Sequence, residues 1–274
     1  MKEGGRNRGN TAPVSVAAWY LRHFFDPPLR PTIEAGMNLE SLLISRDGTL
    51  VEVLRPTLEN LSVEMEVCTA TETGRELLGK RKFDAVIVDC DDLQGGVDLL
   101  KSMRKTHSNA LSVAFAVLNG KTTTQEAFHV GANFVLQKPL TPLNATRCFN
   151  AAMSFMVRER RRYYRQPVEM PVRLSFPQGP ELSVAATNLS EGGLALRYAG
   201  KLPEGNQIKL QFTLPATTTS LEIQGIVAWA DEMGHAGIKF VEVPQSSQYQ
   251  LDQWLTARLR KEMPDHLQGY ITLQ

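Results

Sequence analysis

The sequence predicts two domains of different class: an α/β domain with a parallel sheet, then an antiparallel β-barrel or sandwich closed by a helix. Three observations predict it. Between Leu39 and about Met156, short apolar runs alternate with stretches of helical periodicity. From Val168 to Val243, strand-like runs succeed one another with only turns between them. A long amphipathic stretch, SSQYQLDQWLTARLRKE, then ends the patterned chain. Strands separated by helices imply a parallel sheet covered on both faces, and strands separated by turns imply antiparallel pairing. A chain of 274 residues, 42% of them hydrophobic, is large enough for two cores.

Composition excludes several function classes. Lys and Arg total 30 against 29 for Asp and Glu, a net charge of +1. A general nucleic-acid coat would be far more basic, so any anion binding belongs to a local patch. The cysteines Cys68, Cys90 and Cys148 lie far apart and lack the Cys/His spacing of a zinc site. They read as free thiols in a reducing, cytoplasmic setting. No apolar run approaches the ~18 residues of a membrane helix, and neither a metal nor a cofactor is expected. Residues 1–36 differ in composition from the rest of the chain, with MKEGGRNRGN rich in Gly and Arg and DPPLRPT rich in Pro, and are expected to form a disordered extension.

The first domain, expected over 37–157, opens with the strand LESLLIS and the polar Arg46-Asp47-Gly48. The helical TLVEVLRPTLENL, the strand VEMEVCTA and the helical TETGRELLGKRK come next. FDAVIVDCDD holds a buried strand that ends in acids. VDLLKSMRK is helical, LSVAFAVL a strand, TTTQEAFHVGA helical and NFVLQKPL a short last strand. Ligands of open parallel sheets sit beyond the carboxyl ends of the strands, and there the sequence places Asp89 and Lys138-Pro139. These segments, FDAVIVD and QKP, together with the order of elements, resemble the receiver domain of two-component response regulators. The resemblance implies a flavodoxin-like fold, a phosphoacceptor at Asp89, a phosphate-sensing Lys138 and a cis Lys138–Pro139 peptide. Two departures point to a degenerate, inactive receiver. Ser45-Arg46-Asp47 stands where the family carries a magnesium-binding acidic pair, with Arg46 expected near the metal position. Ala116-Val117-Leu118-Asn119 lacks the hydroxyl residue that ends the family's fourth strand. Phosphoryl transfer to a carboxylate needs a metal to offset charge. In the plainer reading, Asp89 caps a nearby helix start or pairs with Lys138, and Asp91 and Asp92 are loop acids.

TPLNATRCFNAAMSFMVRERRR then gives one apolar helical stripe, Ala145, Cys148/Phe149, Ala152 and Phe155/Met156. No Gly or Pro separates it from the arginine run Arg158–Arg165, so the run begins as the last helical turn, where cations suit the helix dipole. Six strands succeed it: VEMPVRLSF (edge-like, with Pro171 inside), LSVAATNLS, GLALRYA, QIKLQFTL, LEIQGIVAWA and AGIKFVEV. In the closing helix, Tyr249, Leu251, Trp254, Leu255, Arg258 and Leu259 are spaced for one side.

RRYYR followed by NLSEGG resembles the signature of the PilZ domain, RxxxR and then [D/N]xSxxG. Arg161 and Arg165 match the first motif; Asn188, Ser190 and Gly193 match the second. The resemblance implies a six-stranded antiparallel β-barrel with a C-terminal helix over 158–262, a tail over 263–274, and binding of cyclic di-GMP. The residue chemistry agrees. Arginine forks suit phosphates and guanine O6/N7 edges and stack on purines. Asn188 offers an amide to a guanine edge, and Ser190 a hydroxyl. Gly193 allows a conformation or an approach that a Cβ would block. Arg158, Arg160 and Arg162 would supply spare charge for a second ligand molecule. Each motif also has a plain reading, NLSEGG as a hairpin turn and RRYYR as a solvated linker. Trp229 and Phe240 are expected in the core, Tyr163 and Tyr164 either on a base or against the barrel, and His235 in a turn. The expected function is a non-enzymatic cyclic di-GMP effector that reorients its receiver-like domain toward a protein partner, with no specific nucleic-acid or membrane target. The alternatives are a barrel of the same fold that binds no ligand, and a response regulator phosphorylated at Asp89.

Overall fold

The computed structural model describes residues 38–271 apart from 107, 178, 180, 199–201 and 203–204. The expectation for 1–36 lies outside the described residues. The first domain is a five-stranded parallel sheet in the order β2-β1-β3-β4-β5. Its strands are β1 (Leu39–Ile44), β2 (Val63–Cys68), β3 (Ala85–Asp89), β4 (Val113–Leu118) and β5 (Phe134–Gln137). The helices between and after them are α1 (Gly48–Glu59), α2 (Thr71–Lys80), α3 (Gly96–Met103), α4 (Thr124–His129) and α5 (Pro142–Tyr163). This is the doubly wound, flavodoxin-like strand order.

Strand alternation sorts the apolar residues to two faces. Leu39, Leu43, Ala85 and Ile87 pack with α1 and α5, whereas Leu42, Ile44, Val86 and Val88 pack with α2, α3 and α4. Local signals start the helices. Asp47 caps α1 by accepting from the Thr49 amide. Thr123 and Glu126 form a capping box on α4, and Thr141 caps α5 with Pro142 at its first position. The stripe of α5 is buried at Ala145, Phe149, Ala152 and Met156 as its spacing predicts, joined by Met153 and Val157. Phe155 departs from it, lying 52% exposed with its ring edge-on to Phe134.

The second domain is a closed barrel in the cyclic order β10-β11-β8-β7-β6-β9. Its strands are β6 (Gln166–Ser175), β7 (Leu182–Ser190), β8 (Gly193–Arg197), β9 (Gln207–Thr213), β10 (Ser220–Ala230) and β11 (His235–Glu242). Closure corrects the edge-strand expectation for β6, which pairs with both β7 and β9. Pro171 is tolerated because the β6–β9 ladder begins one residue later, at Val172. The closing helix α6 (Gln245–Glu262) buries Leu251, Trp254, Leu255 and Leu259. Tyr249, expected on that side, is instead 54% exposed, while Asp252 and Thr256 are buried. Residues beyond Glu262 include a short α7 (Asp265–Gln268), and Met263, Leu267 and Ile271 are buried. One continuous apolar cluster runs from the α1/α5 face of the sheet through Val157 and Tyr164 into the barrel.

Candidate functional site

Two candidate sites lie at opposite kinds of strand end. The first is the carboxyl edge of the parallel sheet. Asp89, only 1% exposed, accepts from the Ser45 hydroxyl at 2.7 Å and from Lys138 Nζ at 3.0 Å. The same ammonium reaches Asp47 at 2.9 Å and Asp92 at 2.8 Å. Burial opposes the Lys138 charge, but hydrogen bonds to Asp92, Asp47 and Asp89 outweigh it, and the pKa rises above the ordinary lysine range. Hydrogen bonds from Thr49 and Lys138 in turn hold Asp47 down at about 2. The Lys138–Pro139 peptide is cis.

Lys138 therefore sits among the three carboxylates that remain, and among the described residues no group of three or more His, Cys, Asp or Glu side chains is arranged to hold a metal. Asp47 is committed twice, as the α1 cap and as a partner of Lys138. Among the described residues, Arg46 forms no ion pair with Asp47, Asp89 or Asp92. It is exposed and donates to the Thr69 carbonyl at 2.9 Å, beyond the end of β2. Asp91 and Asp92 are more than loop acids. Asp91 accepts from the amides of Asn119, Lys121 and Thr122 and so fixes the loop into α4. No hydroxyl residue ends β4, where Leu118-Asn119 stands.

The second site is built where the arginine run enters the barrel. Register assembles it. Gln166 pairs with Leu189 and Pro167 with Asn188. Arg165 thus lies one residue outside the first β6–β7 pair, beside the end of β7 that carries Ser190. Across the β7–β8 hairpin, Ser190 pairs with Gly193 around the turn Glu191-Gly192. Arg165, Asn188, Ser190 and Gly193 are therefore brought to one end of the barrel.

A bulge aims the second motif. Ala186 pairs with Leu196 but Asn188 with Ala195, so Thr187 is an extra residue, and the β6 partner is irregular between Pro167 and Met170. The insertion changes the side-chain parity of β7. Val184, Ala186 and Leu189 all enter the core, leaving Asn188 half-buried, with no side-chain hydrogen bond among the described residues. Ser190, in contrast, is buried and donates to the Gly193 carbonyl at 2.9 Å, closing the hairpin. Gly193 is an ordinary strand residue; positive φ among the described glycines occurs elsewhere, at Gly95, Gly120, Gly131, Gly205 and Gly234. Its expected special backbone conformation is thus not observed.

The arginines of the run face different partners, because successive helical residues are rotated by ~100°. Glu159 pairs with Lys82 at 2.7 Å. Arg160 turns to the receiver-like domain, meeting Asp84 at 3.1 Å and Glu40 at 3.4 Å and donating to the Asn38 carbonyl at the same edge. It is therefore not brought to the barrel end. Arg161, 7% exposed, is paired with the buried Asp252 of α6. Burial lowers the Arg161 pKa, while the Glu191 carboxylate of the hairpin turn favours its charge. Arg158 and Arg162 are exposed. Arg165 is half-buried and donates to the Tyr163 carbonyl at 2.9 Å; burial lowers its pKa, opposed by Tyr163.

The aromatic residues are structural here. Tyr164 is buried and its hydroxyl meets Glu262 of α6 at 2.9 Å; burial and that carboxylate push the phenol pKa up. Tyr163 lies under Lys82, 4.5 Å from the ring centroid. Trp229 and Phe240 are in the core, as expected. His235 is held by Asp231, its amide donating at 2.8 Å. Sequence reasoning missed Asp252. The available signal was an acid in register with Leu255 and Leu259 on the apolar side of a helix, where an unpaired charge is not expected.

Residues 159–257 match the family model of the PilZ domain. Among solved structures, the first domain is similar to the chemotaxis response regulator CheY4 of Vibrio cholerae, at 19% identity over 42% of this chain and 98% of that chain, with a TM-score of 0.39. It is also similar to the receiver domain of the sensor histidine kinase PA1611 from Pseudomonas aeruginosa PAO1, at 16% identity over 42% and 97%, TM-score 0.37. The barrel is similar to the PilZ domain of CeSA from a cellulose-synthesizing bacterium, at 16% identity over 35% and 97%, TM-score 0.30. A comparison with curated protein sequences finds no match.

Proposed function

We propose that the PilZ domain carried by residues 159–257 is a cyclic di-GMP receptor, acting in the cytoplasm without catalytic activity, and that the receiver-like domain is its output. The observation that carries the reading is the strand register that sets Arg165 beside Asn188 and Ser190. Two motifs about two dozen residues apart in sequence thereby share one end of the barrel, with cationic Arg162 and Arg158 exposed nearby on α5. In this reading Arg165 and Arg161 grip phosphate or guanine O6/N7, and the open amide of Asn188 reads a guanine edge. Ser190 and Gly193 shape the hairpin that presents it.

The output depends on α5, one helix from Pro142 to Tyr163. Its end is fastened to the receiver-like domain by Lys82–Glu159 and Arg160–Asp84. A ligand that repositions Arg161 and Arg165 pulls on that fastening and favours one relative arrangement of the domains. A protein partner would read the change. One observation favours a rival, a barrel that serves only protein contacts: Arg161 is already ion-paired with Asp252.

Calorimetric titration separates the two. A charge-assisted hydrogen bond contributes on the order of 1.5–3 kcal/mol, against about −8 kcal/mol for a micromolar ligand. Arg165→Ala should therefore weaken cyclic di-GMP binding by about ten- to a hundredfold and abolish it at low micromolar protein. Unchanged affinity refutes the assignment of Arg165, and no binding by the unaltered protein refutes the receptor reading.

A further inference from the structure

The structure assigns a second role to helix α6: we infer that Asp252 is an internal competitor for Arg161, holding the first half of α6 closed over the arginine that the ligand needs. The inference rests on the nucleotide reading proposed for the barrel. Arg161 and Asp252 are 91 positions apart in sequence but form a buried ion pair, 7% and 5% exposed. A buried guanidinium must have an anion, so a ligand phosphate can take Arg161 only by replacing the carboxylate.

The pair is built to exchange rather than to lock. The second oxygen of Asp252 is buried without a donor, and so is the hydroxyl of Thr256 one turn later on the same helix. A half-satisfied buried carboxylate gains by returning to water once its cation is neutralised otherwise. The helix is also unevenly anchored. Its far half is held by Leu255, by Leu259, by Trp254 Nε1 donating to the Pro215 carbonyl at 3.0 Å, and by Glu262 on Tyr164. Its start, after Pro244, has no side-chain cap, Tyr249 there is exposed, and Leu251 is its one fully buried apolar side chain. Residues Gln245–Asp252 therefore loosen while Trp254–Glu262 stay seated. Glu191, in the turn of the second motif, also favours the Arg161 charge.

The test uses the full chain and two measurements. In calorimetry, Asp252→Asn keeps the size of the side chain but removes the competing charge. It should bind cyclic di-GMP about tenfold tighter than the unaltered protein, since the binding-competent fraction rises. Equal or weaker binding overturns the competition while leaving the receptor reading standing. In hydrogen exchange, saturating cyclic di-GMP should speed exchange over Gln245–Asp252 in the unaltered protein, and Asp252→Asn should do so without ligand. Where the unaltered protein binds the ligand, unchanged or slower exchange in either case overturns the latch, and the unaltered-protein arm holds even if the variant fails to fold. If neither protein binds but ligand-free Asp252→Asn still exchanges faster, the latch is supported and the nucleotide reading is what fails.

Discussion

Lys138→Met tests whether an internal ammonium does the work of a metal at the sheet edge. The substitution preserves much of the side-chain length and removes the charge that faces Asp47, Asp89 and Asp92 at 2.9, 3.0 and 2.8 Å. Asp89 sets the magnitude. At 1% exposure it cannot recruit bulk water, and it keeps only the Ser45 hydroxyl at 2.7 Å and the Asp92 amide at 3.3 Å. Orphaning one buried member of an ion pair costs about 3–5 kcal/mol, whereas the more exposed Asp47 and Asp92 pairs add little after solvent screening. The expected loss at pH 7 is about 3–4 kcal/mol, which moves a urea midpoint by ~1–3 M. The pH dependence has a definite sign. Asp47 has a depressed pKa of about 2, against an ordinary 3.8, partly through Lys138. Its contribution is present above the unfolded pKa and is lost as pH falls through the folded one. The difference between the two proteins should therefore shrink as the pH is lowered from about 4 toward 2. A loss below about 1 kcal/mol at pH 7 would refute the reasoning, since it would mean that Lys138 is not neutralising Asp89.

Two other outcomes are expected. Acetyl phosphate with magnesium should not label Asp89, because Lys138 occupies the carboxylate cluster and Ser45 stands where a metal-binding acid is needed; rapid magnesium-dependent labelling would restore the phosphorylated-regulator reading. Gly237→Ala would drive a Cβ into the indole of Trp229, so about 3 kcal/mol of destabilisation is expected by urea unfolding, and a change under ~1 kcal/mol would show that Trp229 can move aside.

Much of this protein is legible in its amino-acid sequence. Local periodicity fixed the two classes of domain, because a period near two or near 3.6 residues exposes which face of a segment is apolar. The five strands of the sheet, the six of the barrel and the unbroken run of α5 into the arginines all come from such patterns. The motif residues Asp89, Lys138, Arg161, Arg165, Asn188, Ser190 and Gly193 came instead from the resemblance of FDAVIVD, QKP, RRYYR and NLSEGG to receiver and PilZ domain signatures. What sequence could not supply is the choice of partner for each charge. Arg160, Arg161 and Arg162 look alike as neighbours in a row, yet one meets Asp84, one Asp252 and one solvent. Helical rotation separates them by angle, and only the packing of the sheet on one side and α6 on the other decides what lies in each direction. Likewise Arg46 donates to the Thr69 carbonyl beyond β2 and Pro171 proved compatible with a closed barrel, because both depended on where a distant strand ended. Spacing therefore determined which residues were available to bind an anion; the tertiary structure alone decided that one of them, Arg161, already has an anion in Asp252.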